Sequence, residues 1–152
     1  MRIQFCLAWA KSGSPLHKAF KLSQAYSLFR EYVERIASFV SCEVSGGREA
    51  GTLRKPATKV WICHRGAGAK MFSSEELAKE IEKLRLSGTK ELHIVIGGPD
   101  GFSEKDLEMW NPDLKWSFGS LTFPHELAAV VASEQIYRAL TILHYLPYHS
   151  CH

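Results

Sequence analysis

Three short apolar runs, each followed by a stretch with helical spacing, constrain this chain more than any other feature of its sequence. Arg2-Ile-Gln-Phe-Cys-Leu-Ala-Trp9 gives way to Lys11-Ser-Gly-Ser-Pro15, Lys59-Val-Trp-Ile-Cys63 is the second run, and Glu91-Leu-His-Ile-Val-Ile96 enters the sharp turn Gly97-Gly-Pro-Asp-Gly101. Runs of this length bounded by Gly, Ser and Pro read as buried strands. From about Leu16 to Phe39 the residues Leu16, Phe20, Leu22, Tyr26, Phe29, Tyr32, Val33 and Ile36 recur at helical spacing, which predicts one long amphipathic helix. Ser73-Ser-Glu-Glu76 is a capping box opening a helix that runs to Ser87-Gly88, and Ser103-Glu-Lys-Asp106 is a second helix start. Pro124 fits the first turn of a final helix through Ala128, Val131, Gln135, Tyr137, Ala139 and Leu143 to about Leu146. Residues 43–58, with Gly46, Gly47, Gly51 and Pro56 beside Arg48, Arg54 and Lys55, show no period and read as a mobile basic loop.

Strand and helix alternating along a chain imply an α/β fold, a mainly parallel sheet with helices on both faces. The chain has 152 residues, 45% of them hydrophobic, enough for one compact domain over 1–152 with its own core. Its 19 basic and 16 acidic residues give a net charge of +3, which suits an RNA partner without requiring one. Cys6, Cys42, Cys63 and Cys151 share no Cys-x-x-Cys spacing, and neither a secretory leader nor a membrane-length apolar run is present, so a reducing cytoplasm and no membrane are expected. The tail His149-Ser-Cys-His152 offers two imidazoles and a thiol. A chain end preorganises no ligand geometry, so no metal is expected.

Ligands of open parallel sheets bind at the carboxyl ends of the strands, which points to Cys63–Gly68, Gly97–Gly101 and the loop near Gly119 as one crevice. In Ile96-Gly-Gly-Pro-Asp-Gly101 two residues without a Cβ would let a ligand approach the backbone, although the same residues also make ordinary turns. The spacing fits neither a P-loop nor a dinucleotide fingerprint. Trp116-Ser-Phe-Gly-Ser-Leu-Thr-Phe-Pro-His125 interleaves aromatics with small and hydroxyl residues, the mixture an adenosine site needs: apolar walls for the ring and backbone groups to read its edge. His125 at a helix start would stay neutral, free to accept a proton or simply to bond locally. Glu134 and Arg138 lie four apart on one helix face, as a solvated ion pair also would, and Pro147-Tyr-His149 follows directly after that helix.

Taken together, Ile96–Gly101, Trp116–His125, Glu134-Gln-Ile-Tyr-Arg-Ala139 and Pro147-Tyr-His149 resemble, in order and spacing, the bacterial methyltransferases that modify N3 of a pseudouridine in 23S ribosomal RNA. The resemblance is specific from about Ser73 to His149. It implies a SPOUT fold whose C-terminal part is threaded as a trefoil knot, a homodimer, and S-adenosyl-L-methionine (SAM) as methyl donor with no metal. SAM would lie against Ile62, Gly97, Gly98, Gly119, Ser120, Leu121, Thr122, Phe123 and Pro124, and His125, Arg138, Tyr148 and His149 would face the RNA. Pseudouridine N3 attacks the methyl group and must shed its proton, a task for His125 or His149, with Arg138 orienting the anion or a phosphate. The sequence departs from that family at Cys63, where Asp is usual, at Ala129, where a basic residue is usual, and at Ser150, where Arg commonly follows Tyr-His. An impaired SAM- or RNA-binding module, or a methyltransferase of another RNA, are the alternatives those departures raise.

Overall fold

A computed structural model describes residues 1–47 and 54–150. Arg48 and Gly51 of the expected basic loop, and Cys151 and His152 of the tail, lie outside the described residues. Six strands form one sheet: β1 Arg2–Leu7, β2 Cys42–Gly46, β3 Thr58–Cys63, β4 Lys70–Met71, β5 Glu91–Ile96 and β6 Leu114–Ser117. Their order is β2-β1-β5-β3-β6-β4 and every pairing is parallel. The helices are α1 Ser23–Ala37, α2 Ser74–Leu86, α3 Glu104–Trp110 and α4 His125–Leu143. Among the described residues no helix is long and apolar enough to cross a membrane.

Both capping boxes form. The Ser73 hydroxyl accepts the Glu76 N–H at 3.1 Å while the Glu76 carboxylate accepts the Ser73 N–H at 2.7 Å, and Ser103 and Asp106 repeat the exchange at 3.1 and 2.9 Å. Pro124 caps α4 from just outside rather than within the first turn, so the last helix begins at His125.

The single helix expected over Leu16–Phe39 is divided into a short 3₁₀ turn, Leu16–Ala19, and α1. Tertiary partners break it. The Trp9 indole N–H donates to the Ala19 carbonyl at 2.8 Å, and the Leu22 N–H donates to the Glu126 carboxylate on α4 at 3.0 Å, leaving Leu22 extended. The stretch read as an unstructured loop contains β2, an edge strand beside β1 whose residues are only partly covered and therefore carry no apolar run. Gly46 is needed there because a Cβ would stand 2.8 Å from that of Ala10. Likewise Trp116 and Ser117, expected in a ligand-reading loop, belong to β6, and Trp116 packs in the core against Trp61.

Helices cover both faces, unequally. Phe29, Val33 and Ile36 of α1, Leu77 and Ile81 of α2, and Ile136 and Leu140 of α4 close over Ile3, Phe5, Leu7, Leu92, Ile94 and Ile96. Among the described residues, the opposite face, Cys6, Val60, Ile62 and Val95, is covered by Trp110, Leu107 and Met109 of α3 and by Phe102 just before it. That helix has 7 residues, too few to persist without its packing. Trp110→Ala is expected to cost about 3–5 kcal/mol of unfolding free energy in a urea titration, because it empties the largest side chain from a small cluster that cannot collapse around the gap.

Candidate functional site

Register determines where the site lies. Leu7 and Cys63 both pair with Ile96, and Cys63 also pairs with Trp116, so β1, β5, β3 and β6 reach one edge of the sheet level with one another. A cleft of about 760 Å³ opens at that edge, bounded by Cys63–Arg65, Ile96–Phe102 and the segment after β6. A Cβ on Gly97 would stand 3.0 Å from the Phe102 ring, and one on Gly98 would stand 3.1 Å from Cβ of Trp9, so the two glycines let backbone fill space that a side chain would contest. The Gly98 carbonyl accepts the Gly101 N–H at 2.9 Å and closes the turn. After β6 the chain bends at Gly119, whose φ of +106° favours glycine. Its N–H donates to the Ser117 hydroxyl at 3.1 Å, and Phe118, 4.8 Å from Trp116, begins an apolar wall.

Of the residues expected around a cofactor, Gly97, Gly98, Gly119, Leu121, Thr122, Phe123 and Pro124 line this cleft. Ser120 presents its carbonyl to Arg65, which donates to it at 2.7 Å. Ile62 alternates away from Trp61 and Cys63, so its side chain is buried under α3 on the opposite face of the sheet from the main core. Cys63 lines the cleft as a neutral thiol, its pKa pushed far up by burial.

His125 also lines the cleft, at the first residue of α4. Its ring meets the Trp9 indole edge to face, with centroids 4.6 Å apart. Burial pushes its pKa below the ordinary histidine value; Glu126 pulls the other way and Lys21 reinforces the drop. The imidazole is therefore a neutral proton acceptor near pH 7. Trp9 was visible in the sequence only as the end of a strand, since nothing local links it to a residue 116 positions later.

Arg138, Tyr148 and His149 form a second cluster, around Glu134. Arg138 donates to one Glu134 oxygen through Nε at 3.0 Å and Nη2 at 2.6 Å, and the Tyr148 hydroxyl donates to the same oxygen at 2.9 Å. The Arg138 guanidinium lies 4.8 Å from the centroid of the Tyr148 ring. Arg138 Nη1 is 3.3 Å from His149 Nδ1; because arginine only donates, Nδ1 accepts, and the ring proton sits on Nε2, which donates to Glu75 at 2.9 Å. The Glu134–Arg138 pair is thus no solvated surface pair, its side chains being only 17% and 12% exposed. Burial pushes the Tyr148 phenol well above its ordinary value, as do its bonds to Tyr32 and Glu134. The sequence placed Glu75 and Tyr32 on helices but gave no link to this cluster, since α2 and α1 supply them from far along the chain.

The structure does not gather the four expected catalytic residues. Arg138 lies thirteen residues beyond His125 on one helix, about 20 Å along its axis at 1.5 Å per residue. Among the described residues no group of three or more His, Cys, Asp or Glu is placed to hold a metal ion.

The family profile described as "Predicted SPOUT methyltransferase" matches residues 19–149. "Ribosomal RNA large subunit methyltransferase H" of Deinococcus radiodurans is 38% identical over 135 residues, covering 85% of this chain and 91% of that protein. The protein of the same name from Methylocella silvestris is 33% identical, with 97% of each covered. Against several other curated relatives the matched segment spans about half their length, 47–49%. Among solved structures, a ribosomal RNA small subunit methyltransferase E from Neisseria gonorrhoeae bound to S-adenosyl methionine superposes with a TM-score of 0.51 at 12% identity, covering 94% of this chain and 66% of that one. At that identity the likeness extends to the fold alone.

The buried imidazole has a measurable consequence. His125 has a lower pKa folded than unfolded, so the unfolded chain binds more protons and acid favours unfolding. Its contribution to stability is complete above the unfolded value near 6.5 and is lost as pH falls below that value toward the folded one. Urea titrations between pH 5 and 8 should show His125→Gln losing less stability than wild type on acidification, and proton NMR should place the wild-type imidazole titration below 6.5.

Proposed function

The chain belongs to the SPOUT methyltransferase family, and from that premise we propose that it transfers the methyl group of SAM to N3 of a pseudouridine in 23S ribosomal RNA, acting on the assembled ribosome as a homodimer. The observation that carries this reading is the cleft at the level ends of β3, β5 and β6. It combines a glycine-opened backbone, an aromatic wall and a neutral histidine. Its volume and mixed lining suit an adenosyl group, and Gly97, Gly98 and the segment Gly119–Pro124 would hold it. SAM supplies a methyl group already activated by a sulfonium, so the protein has to align the acceptor and manage its proton.

His125, neutral and at the cleft wall, is suited to accept the N3 proton as the nitrogen becomes nucleophilic, while Trp9 fixes the plane of its ring. Arg138 keeps N–H donors beyond its bonds to Glu134 and His149 and is suited to orient an anion, either a phosphate or the developing charge on the base, while Tyr148 and His149, whose donors go to Glu134 and Glu75, hold the guanidinium in place. The separation of about 20 Å between His125 and Arg138 on α4 is the reason for a dimer, since only a second copy would set one protomer's Arg138 cluster beside the other's cleft. A single domain over 1–152 with trefoil threading of its C-terminal part belongs to the same reading. Cys63 and Ser150 favour the second reading, a SAM- or RNA-binding module with reduced activity, since a neutral thiol and a hydroxyl stand where the resemblance leads one to expect charged groups. Ala129 adds nothing to it, because that position is fully buried on α4 and would not present a cation to RNA in this arrangement.

Labelled methyl transfer from SAM to assembled bacterial ribosomes that carry the pseudouridine but lack its methyl, followed by nucleoside analysis, tests the proposal. N3-methylpseudouridine is the expected product, with His125→Ala and Arg138→Ala each lowering kcat by about 10²-fold or more. SAM binding without any incorporation would move the chain to the second reading, and full activity in both variants would show the site assignment to be wrong.

A further inference from the structure

We propose that Arg65, Lys70 and Lys115, along the rim where the cleft meets the β4 edge of the sheet, form a phosphate-binding surface that grips the RNA strand flanking the target nucleotide. This rests on the ribosomal RNA reading above.

Residues 54–74 hold five Lys and Arg, with His64, and no Asp or Glu, and of the five Arg65 and Lys70 follow the carboxyl end of β3 where the cleft opens. Some of that charge is already compensated. Arg54 and Lys59 both pair with Asp113, Lys59 at 3.8 Å, and Lys55 is close enough to help lower the pKa of Glu91. Arg65, Lys70 and Lys115 remain, and among the described residues no carboxylate lies within ion-pair distance of them. Lys70 pairs with Trp116 in the β4–β6 register, one position from Lys115, so the two lysines leave the sheet edge on opposite faces within one residue of each other, and a strand passing over that edge would meet both. The Lys115 charge, after burial, helps to depress the pKa of His64 beside Arg65.

Two of the three are held in place by the backbone. Lys115 donates to the Ala67 carbonyl at 3.2 Å and Arg65 to the Ser120 carbonyl at 2.7 Å. A guanidinium has five N–H donors and an ammonium three, so each anchored group keeps donors for a ligand. Carbonyls orient the cations without neutralising them, which leaves a row of like charge that an anion would stabilise.

RNA phosphate fits this row better than a compact anion does. Arg65 lines the cleft itself, whereas Lys70 lies on the edge strand outside it. A nucleotide drawn out of its stack into the cleft carries phosphodiesters on both sides, and these must run over the rim. Position 150 supplies no cation and position 129 is buried, so the rim adds phosphate contacts that those two positions do not make.

The test is fluorescence anisotropy of a labelled single-stranded RNA oligonucleotide containing pseudouridine, titrated with full-length protein at several salt concentrations. Each phosphate contact on a single strand contributes about 0.7 to the slope of log affinity against log salt. Arg65→Gln/Lys70→Gln/Lys115→Gln, which keeps amide donors but no charge, should flatten the slope by about 2, and Lys70→Gln/Lys115→Gln by about 1.4. The double variant should bind SAM as wild type does by calorimetry, and Lys70→Arg/Lys115→Arg should restore the slope. Lys83→Gln/Lys90→Gln, on exposed lysines at the opposite end of α2 and β5, should leave it unchanged. An unaltered slope in the triple variant overturns the proposal, as does equal flattening in the Lys83/Lys90 control, which would make net charge the cause. Weakened SAM binding in the double variant with an unchanged RNA slope also overturns it and assigns the cations to the cofactor. If the slope flattens as expected while ribosomes receive no methyl group, the phosphate surface stands and the ribosomal substrate falls.

Discussion

The parallel pairing of β5 between β1 and β3 is the constraint from which the rest of the architecture follows. Glu91–Ile96 is hydrogen-bonded on both sides, and its buried residues face both cores. A strand covered above and below has to be apolar almost throughout, which is why this segment stands out in the sequence. Because its two neighbours end level with Ile96, the loops that leave them converge, and the cleft is the space those loops cannot fill. The glycines after Ile96 keep that space open: larger residues there would push Phe102 or Trp9 aside.

Central strands and capped helices were legible because their signals are local. Ser73 and Ser103 announce α2 and α3 through residues three positions away, and β1, β3 and β5 announce themselves by apolar runs. What was illegible depended on distant partners. β2 is an edge strand with partly exposed residues, and β6 hides within an aromatic stretch that suits a ligand loop equally well. The interruption before α1 requires knowing that Glu126 will arrive at Leu22 and that Trp9 will claim the carbonyl of Ala19. Gly97, Gly98 and most of Gly119–Pro124, expected beside a cofactor from the resemblance and from the strand-end rule, do line the cleft. Ile62 shows the limit: resemblance places it beside the cofactor, while strand alternation turns its side chain to the other face.

Helix α4 carries two polar centres of different character. At its start His125 is kept uncharged by an indole and by burial, and two-thirds of the way along Arg138 is kept charged by Glu134. One helix thus carries a neutral imidazole and a charged guanidinium about 20 Å apart along its axis. Tyr148 and His149 reach the second centre only because the chain turns back after Leu143, where Tyr145 adopts a positive φ of 57°. The polar contacts of the last described residues thereby draw on α1, α2 and α4 together, through Tyr32, Glu75 and Glu134.

The bond from the Leu22 amide to the Glu126 carboxylate spans 104 positions of sequence, and α1 also packs along α4. Synthesis proceeds from the amino terminus, so the turn that starts α1 leaves the ribosome long before the carboxylate that fixes it. Until then Phe29, Val33 and Ile36 have only part of their cover, and the emerging chain holds an unfinished apolar face. Completion of the core is thus tied to the translation of its last helix. A stall or truncation before residue 126 would leave a sticky intermediate rather than a smaller working protein.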